Sequence, residues 1–320
     1  MKKGYLYILF ATFFFSTMEI ALKLTSGAFQ AIQLTFLRFL IGSLILLIPA
    51  LRETKKRKTS FHKRDWLFFC GNGFLCVVIS MILFQLSVLY SPAGVVAVLF
   101  SCNSVFVILF AFLLLGEKIR RHTVISILLS LIGMIVIANP AHLASSKMGL
   151  LLILGSAVTF ALYNVVGRTR SAKFGGVAVT CFSFLFGCAE MFLLILISRI
   201  PAVAAAMKGA GLTLFADIPI FSGITPLGLL GLLYVGIFVT GLGYACYFLA
   251  MEATGAATAS LVFYIKPILA PLFAMVLLGE PITPQMVCGI ILILAGSFIT
   301  FVPNLRMQKP DEHPVRERAD

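Results

Sequence analysis

The sequence predicts an all-α integral membrane protein with ten transmembrane helices, arranged as two inverted five-helix repeats. Three observations carry that expectation: the hydropathy, the placement of basic residues and an internal repeat. Of 320 residues, 60% are hydrophobic and only 12% charged, with a mean hydropathy of +1.06; a soluble domain carries about 25% charge. The charges gather in short segments between long apolar stretches. A bilayer-crossing helix needs about 20 mostly apolar residues, and such stretches use nearly the whole chain, leaving no room for a sizeable soluble domain.

The apolar runs predict spans at 5–24, 31–51, 66–89, 92–115, 121–138, 149–167, 176–197, 226–250, 255–278 and 283–302. Met1-Lys2-Lys3 leads into an apolar run to about Leu24 without a small-x-small cleavage site, which reads as an uncleaved first span. Pro92, Pro226 and Pro284 stand near helix starts, where a missing N–H costs nothing. Asp65-Trp66 opens the third span, with the indole at headgroup level. The long loop 198–225 holds Pro201, Gly209, Gly211, Pro219 and Gly223; Ala202 to Lys208 reads as a short interfacial helix or a plain connector. Residues 303–320 are polar and charged and are expected to form a disordered cytoplasmic tail.

The formal charge of +13 does not point to nucleic acid. Its largest cluster, Arg52, Lys55, Lys56, Arg57, Lys58, Lys63 and Arg64, fills one loop between spans, where basic residues set topology and meet lipid headgroups. A cytoplasmic N-terminus puts 19 of the 25 Lys and Arg residues in inner segments and only Lys147, Arg199 and Lys208 in outer ones, so both termini are expected inside. The seven cysteines all lie in apolar spans without a CxxC pair and read as small hydrophobes. The four histidines form no ligand pattern, and neither a metal site nor an organic cofactor is expected.

Shifting the chain by 163 residues aligns Ser91–Ile137 with Thr254–Thr300 without a gap, with 15 of 47 positions identical. The matches include Leu114-Leu115-Gly116-Glu117 with Leu277-Leu278-Gly279-Glu280, and Gly133 with Gly296. The two repeats are 5–138 and 149–302. With an odd number of spans each, the second copy must lie upside down. The charges agree: the turn after Glu117 carries Lys118, Arg120 and Arg121, whereas the turn after Glu280 carries none. Inverted repeats place a substrate site near the midplane between the copies and permit alternating access, which points to a secondary transporter.

Charged residues inside a membrane are rare and face a cavity or one another. Here they are Glu19, Lys23, Arg38, Glu190 and Lys266, with uncharged Gln33, Asn103, Asn164, Thr240 and Tyr244. The predicted substrate-binding or gating set is Lys266, Asn103, Arg38, Glu19, Asn164, Thr240 and Tyr244. Lys266 lies near mid-span, with Pro267 and Pro271 expected to loosen and kink its helix; its repeat partner is Asn103. It is read as a substrate or gating contact, or as a structural ion pair with Glu19 or Glu190. Glu19 and Lys23 share a helix face at i,i+4, and Lys23 can also snorkel outward. Glu19 is a candidate carrier of a coupling proton, or a structural partner of Lys23 or Arg38. Laying Gly149 on Gly4 pairs Asn164 with Glu19. The three cations outnumber the two anions by one, which suits a substrate carboxylate unless Lys23 snorkels. Glu117 and Glu280, at turns after Gly, are read as helping the next helix to start.

Tyr234 to Tyr244 (YVGIFVTGLGY), Gly255 to Ser260, Lys266-Pro267, Leu278-Gly279-Glu280, Gly289 and Gly296 resemble the EamA repeat of the drug/metabolite transporter superfamily. Arg38-Phe39, Ser91-Pro92-Ala93 and Leu115-Gly116-Glu117 look like its first copy, and the resemblance covers 5–302. It departs at Phe15-Ser16, where the family often has Trp-Gly or Trp-Ser. The resemblance implies a plasma-membrane carrier, most often an exporter of amino acids or related metabolites. The expected partners are therefore a small-molecule substrate and membrane lipids; the oligomeric state is left open. Efflux of cationic or lipophilic drugs is the alternative, in which Glu19 or Glu190 would dominate. A membrane enzyme or sensor would need a catalytic constellation or soluble domain, and the sequence holds neither.

Overall fold

The computed structural model describes residues 2–138 and 147–307, and it is helical with no strand among them. The first apolar run forms α1 (Lys2–Ser16) and α2 (Met18–Thr25). Between them the Thr17 hydroxyl bonds back to the Phe14 carbonyl at 3.0 Å and meets the Tyr234 hydroxyl at 2.7 Å, a back-bonding pattern that bends helices. Next come α3 (Ala31–Lys56), α4 (Lys63–Gly73), a π-helical stretch Phe74–Ser80, and α5 (Met81–Tyr90). The fourth run is split at Cys102 into α6 (Ala93–Ser101) and α7 (Asn103–Leu115), and α8 (Arg121–Ala138) comes after it.

The second half contains α9 (Lys147–Phe174), α10 (Gly176–Ser198) and the short α11 (Pro201–Gly209), which sits in the loop where a short helix was one of the two expectations. Then come α12 (Pro226–Leu233), a π-helical stretch Tyr234–Gly243, α13 (Tyr244–Thr254), α14 (Ala256–Ala259), α15 (Leu261–Leu278) and α16 (Pro284–Met307). Among the described residues nine helical segments are long and apolar enough to cross a membrane; the apolar stretch Pro284–Ile299 of α16 is shorter. Leu113, Leu151, Leu230 and Val276 stand between 62% and 74% exposed. Apolar surface on that scale is what a bilayer, not water, covers.

Several boundaries differ from expectation. α3 and α9 run on to Lys56 and Phe174, because basic residues continue a helix beyond its apolar part. α15 continues unbroken through Pro267 and Pro271, and the interruption lies at Ser260 instead. Both prolines stand inside the continuous helix. α16 continues past residue 302 to Met307; the rest of the expected tail, 308–320, lies outside the described residues, as do His142 and His313.

Close helix crossings are made by small residues, as expected where lipid supplies no hydrophobic drive between helices. A Cβ on Gly133 would come within 2.7 Å of the Gly289 carbonyl, and one on Gly289 within 2.7 Å of the Gly133 carbonyl. Gly296 meets the Ser126 carbonyl at the same 2.7 Å. Ser126 and Gly133 are the 163-shift partners of Gly289 and Gly296, so α8 and α16 cross through matched sites. Gly289→Leu is expected to cost about 1–3 kcal/mol by overpacking. Thermal unfolding in detergent checks it, and an unchanged midpoint would show that this crossing does not stabilise the fold.

At the end carrying the 52–64 loop, called here the basic end, Asp65 is buried. It accepts from the His62 N–H at 2.9 Å and pairs with Arg170 at 3.3 Å and Lys173 at 2.6 Å. That carboxylate ties the start of α4 to the end of α9. α8 and α10 likewise begin at the basic end, whereas α6 and α16 begin at the far end.

Candidate functional site

Halfway through the bundle, Lys266 of α15 meets Glu19 of α2. Lys266 Nζ donates to Glu19 Oε1 at 2.7 Å, with the side chains 4% and 1% exposed. The ammonium also lies 5.6 Å from the centre of the Phe100 ring, at the end of α6. Glu19 stands in the first turn of α2, where the helix dipole favours a carboxylate. Its Oε2 is buried and unpartnered among the described residues. The ion-pair alternative for Lys266 is thus the geometry observed, and it joins a helix of each half.

Arg38 lies in the same layer and is not in an ion pair with Glu19. Its residue is 1% exposed. Nη1 and Nη2 donate to the Met18 and Met81 sulfurs at 3.9 and 3.5 Å, the guanidinium lies 4.6 Å from the Phe39 ring centre, and Nε has no partner among the described residues. Thioether sulfur is a weak acceptor, and burying a cation costs several kcal/mol unless an anion compensates. Its electrostatic neighbours are Tyr244, Cys76, Glu19 and Cys188. Among the described ion pairs, none neutralises it.

The two π-helical stretches explain part of this layer. Met81 is the first residue after one, and Tyr244 the first after the other. An extra residue in a helical turn re-aims the side chains beyond it, and such bulges gather at functional sites. Met81 ends up with its sulfur 3.5 Å from the Arg38 guanidinium, and Tyr244 is among the groups that act on it electrostatically. The Tyr244 ring packs against Phe15 and Phe184 at 5.1 and 5.3 Å. Asn103 opens α7 after the break at Cys102, and Asn164 lies in α9; both are half-buried. The Thr240 hydroxyl donates to the Val235 carbonyl at 2.8 Å, and its methyl fills the space over Gly42. Glu190 meets the Cys70 thiol at 2.7 Å, not Lys266.

At the far end, Lys23 turns away from Glu19. It lies 3.3 Å from Glu280 Oε1 and donates to the Ser91 carbonyl at 2.8 Å. Glu280 accepts from the Ala93 and Gly94 N–H groups at 2.8 and 3.0 Å. It therefore caps α6 of the first half, not the helix next to it in the chain, which corrects the expectation. At the basic end Glu117 pairs with Arg168 at 2.7 Å. The turns carrying both glutamates begin at Gly116 and Gly279, whose φ of 69° and 68° are left-handed conformations that favour glycine.

Sequence reading passed over Met18, Met81 and Gln85. Gln85 is one turn beyond Met81, fully buried, with both amide atoms unpartnered among the described residues; a lone amide in the apolar run 81–90 was the readable signal. The two methionines gave none, since a thioether looks like any other core side chain.

Comparison with known proteins places the chain in context. The model of the EamA-like transporter family matches residues 2–139 and again 147–302. An uncharacterized transporter of Clostridium kluyveri is 39% identical over 312 residues, covering 95% of this chain and 94% of its own. A probable terminal-alkyne amino-acid exporter of Streptantibioticus cattleyicolor is 25% identical over 205 residues, covering 64% of this chain and 63% of its own. A solved crystal structure superposes with a TM-score of 0.64 at 18% identity, covering 96% of this chain and 99% of that one; it shows a shared fold.

Proposed function

The chain belongs to the EamA-like transporter family of the drug/metabolite transporter superfamily, and from that premise we propose that it exports amino acids or related small carboxylate-bearing metabolites. It is a multi-pass membrane protein; in this reading it sits in the plasma membrane with both termini cytoplasmic. Ten spans form two inverted repeats, 5–138 and 149–302, that rock about a midplane site. The single observation that carries the substrate class is Arg38, a buried guanidinium without a carboxylate partner among the described residues. A planar guanidinium binds a carboxylate through two parallel hydrogen bonds. In this reading the substrate carboxylate completes Arg38, while Glu19 and Lys266 hold each other and Asn103, Asn164 and Tyr244 line the path.

No organic cofactor enters the scheme. Glu19, with one oxygen unpartnered, is the proposed acceptor of a coupling proton, which would release Lys266. The name of the Streptantibioticus relative agrees with an amino-acid substrate. Expressing cells are expected to resist toxic amino-acid analogues and accumulate less of them, with no gain against toxic lipophilic cations. Resistance to the cations alone would support drug efflux instead.

A further inference from the structure

We propose that Glu280 and Glu117 are the latches of two opposite gates, and that this structure has the far gate latched and the basic-end gate released. The inference rests on the alternating-access reading above. Glu280 is seated at 2.8 and 3.0 Å on the backbone N–H groups of Ala93 and Gly94, with Lys23 bridging it to the Ser91 carbonyl. One carboxylate of the second half thus holds two helices of the first. The seat is firm for a physical reason. Two N–H donors at the start of a nine-residue helix converge on one anion, and a cation flanks it.

The same parts recur at the basic end. The 163-residue shift carries Glu117 onto Glu280, and the shift that lays Gly149 on Gly4 carries Lys23 onto Arg168. Glu117 and Arg168 do pair, at 2.7 Å. The two ion pairs are therefore counterparts, one per gate. They differ in enclosure: Glu280 is 15% exposed and Lys23 33%, whereas Glu117 and Arg168 are both 50% exposed.

Each pair borders a cavity, and the cavities correspond. The far one, of about 420 Å³, is lined by Pro271, Ala274, Glu280, Ile282 and Met286. Their shift partners Ile108, Ala111, Glu117, Ile119 and Thr123 line the basic-end one, of about 280 Å³. At the far end Pro92, Gly94 and Val95 of the opposing wall complete the enclosure. In the cycle proposed here, Glu280 leaves its seat as the Glu117–Arg168 pair becomes enclosed at the basic end. In this structure the intramembrane pair Glu19–Lys266 lies between the two gates.

A disulfide trap reads the gate directly. A Cβ on Gly94 would lie 3.6 Å from that of Ala274, inside the 3.5–4.5 Å range that disulfides need; the flexible Met286 end gives way. In the full chain carrying Gly94→Cys and Ala274→Cys, the linked peptide is quantified by mass spectrometry after brief oxidation in membranes. Adding Glu280→Gln is expected to lower the linked fraction several-fold, and adding Glu117→Gln to raise it. Lys23→Met should act like Glu280→Gln, more weakly. Equal linking in all four proteins, or loss in both glutamate variants alike, would overturn the latch and leave a simple cap. The trap needs no substrate, so the two readings separate. Unchanged linking with intact transport removes the latch alone, whereas opposed shifts without transport of any carboxylate compound remove the substrate assignment.

Discussion

Replacing Glu19 with Gln is expected to destabilise the protein by about 3–5 kcal/mol, because it leaves the Lys266 ammonium buried without its anion. The pair is 2.7 Å long and almost fully enclosed, so neither charge can turn to water when its partner is lost. Lys266→Met should fall in the same range, eased to the extent that Glu19 takes up a proton. The double variant Glu19→Gln with Lys266→Met is the informative one. Replacing a whole buried pair by groups of similar volume is often neutral or stabilising, so its unfolding midpoint should return near that of the parent. Transport should not return with it. If the double variant transports at the parent rate, the pair is only a brace between the halves and has no part in the cycle.

Arg38→Met should show the opposite combination: a protein at least as stable as the parent, with transport abolished. Removing a guanidinium that bonds two sulfurs, lies over a ring and has no ion pair among the described residues removes a desolvation penalty of several kcal/mol. Its loss would leave the proposed substrate carboxylate without its guanidinium. Truncating one partner of a buried charge pair costs about 2–5 kcal/mol, or about 30- to several-thousand-fold in affinity at 1.4 kcal/mol per decade. Arg38→Lys keeps the charge but not the planar fork, and should recover little. Melting curves in detergent and uptake into vesicles check the two halves. A strongly destabilised Arg38→Met would mean that the residue serves the fold instead.

The sequence made the membrane spans legible because hydropathy acts through length, and length is written in the chain. The breaks within spans were not legible. Helices are interrupted at Thr17, Cys102 and Ser260, which no local composition announces, whereas Pro267 and Pro271 sit inside a continuous α15. The π-helical stretches escaped for the same reason, and with them the contact of Met81 with Arg38. Polar residues in apolar runs did mark one buried layer: Glu19 pairs with Lys266 and acts electrostatically on Arg38. Their partners could not be read. Lys23 and Glu19 share a helix face, yet Lys23 pairs with Glu280 in the turn between α15 and α16 and Glu19 pairs with Lys266 of α15. Glu280 illustrates the limit most clearly. Its turn was recognised by the repeat, but the helix it caps lies 187 residues away in the chain.

The central claim is that Arg38 waits for a substrate carboxylate. Counterflow in proteoliposomes tests it most directly, by comparing labelled amino acids with their carboxamides on the wild-type protein. The account predicts exchange of the acids, none of the amides, and neither with Arg38→Met. Equal exchange of acids and amides, or acid exchange that survives Arg38→Met, would contradict it.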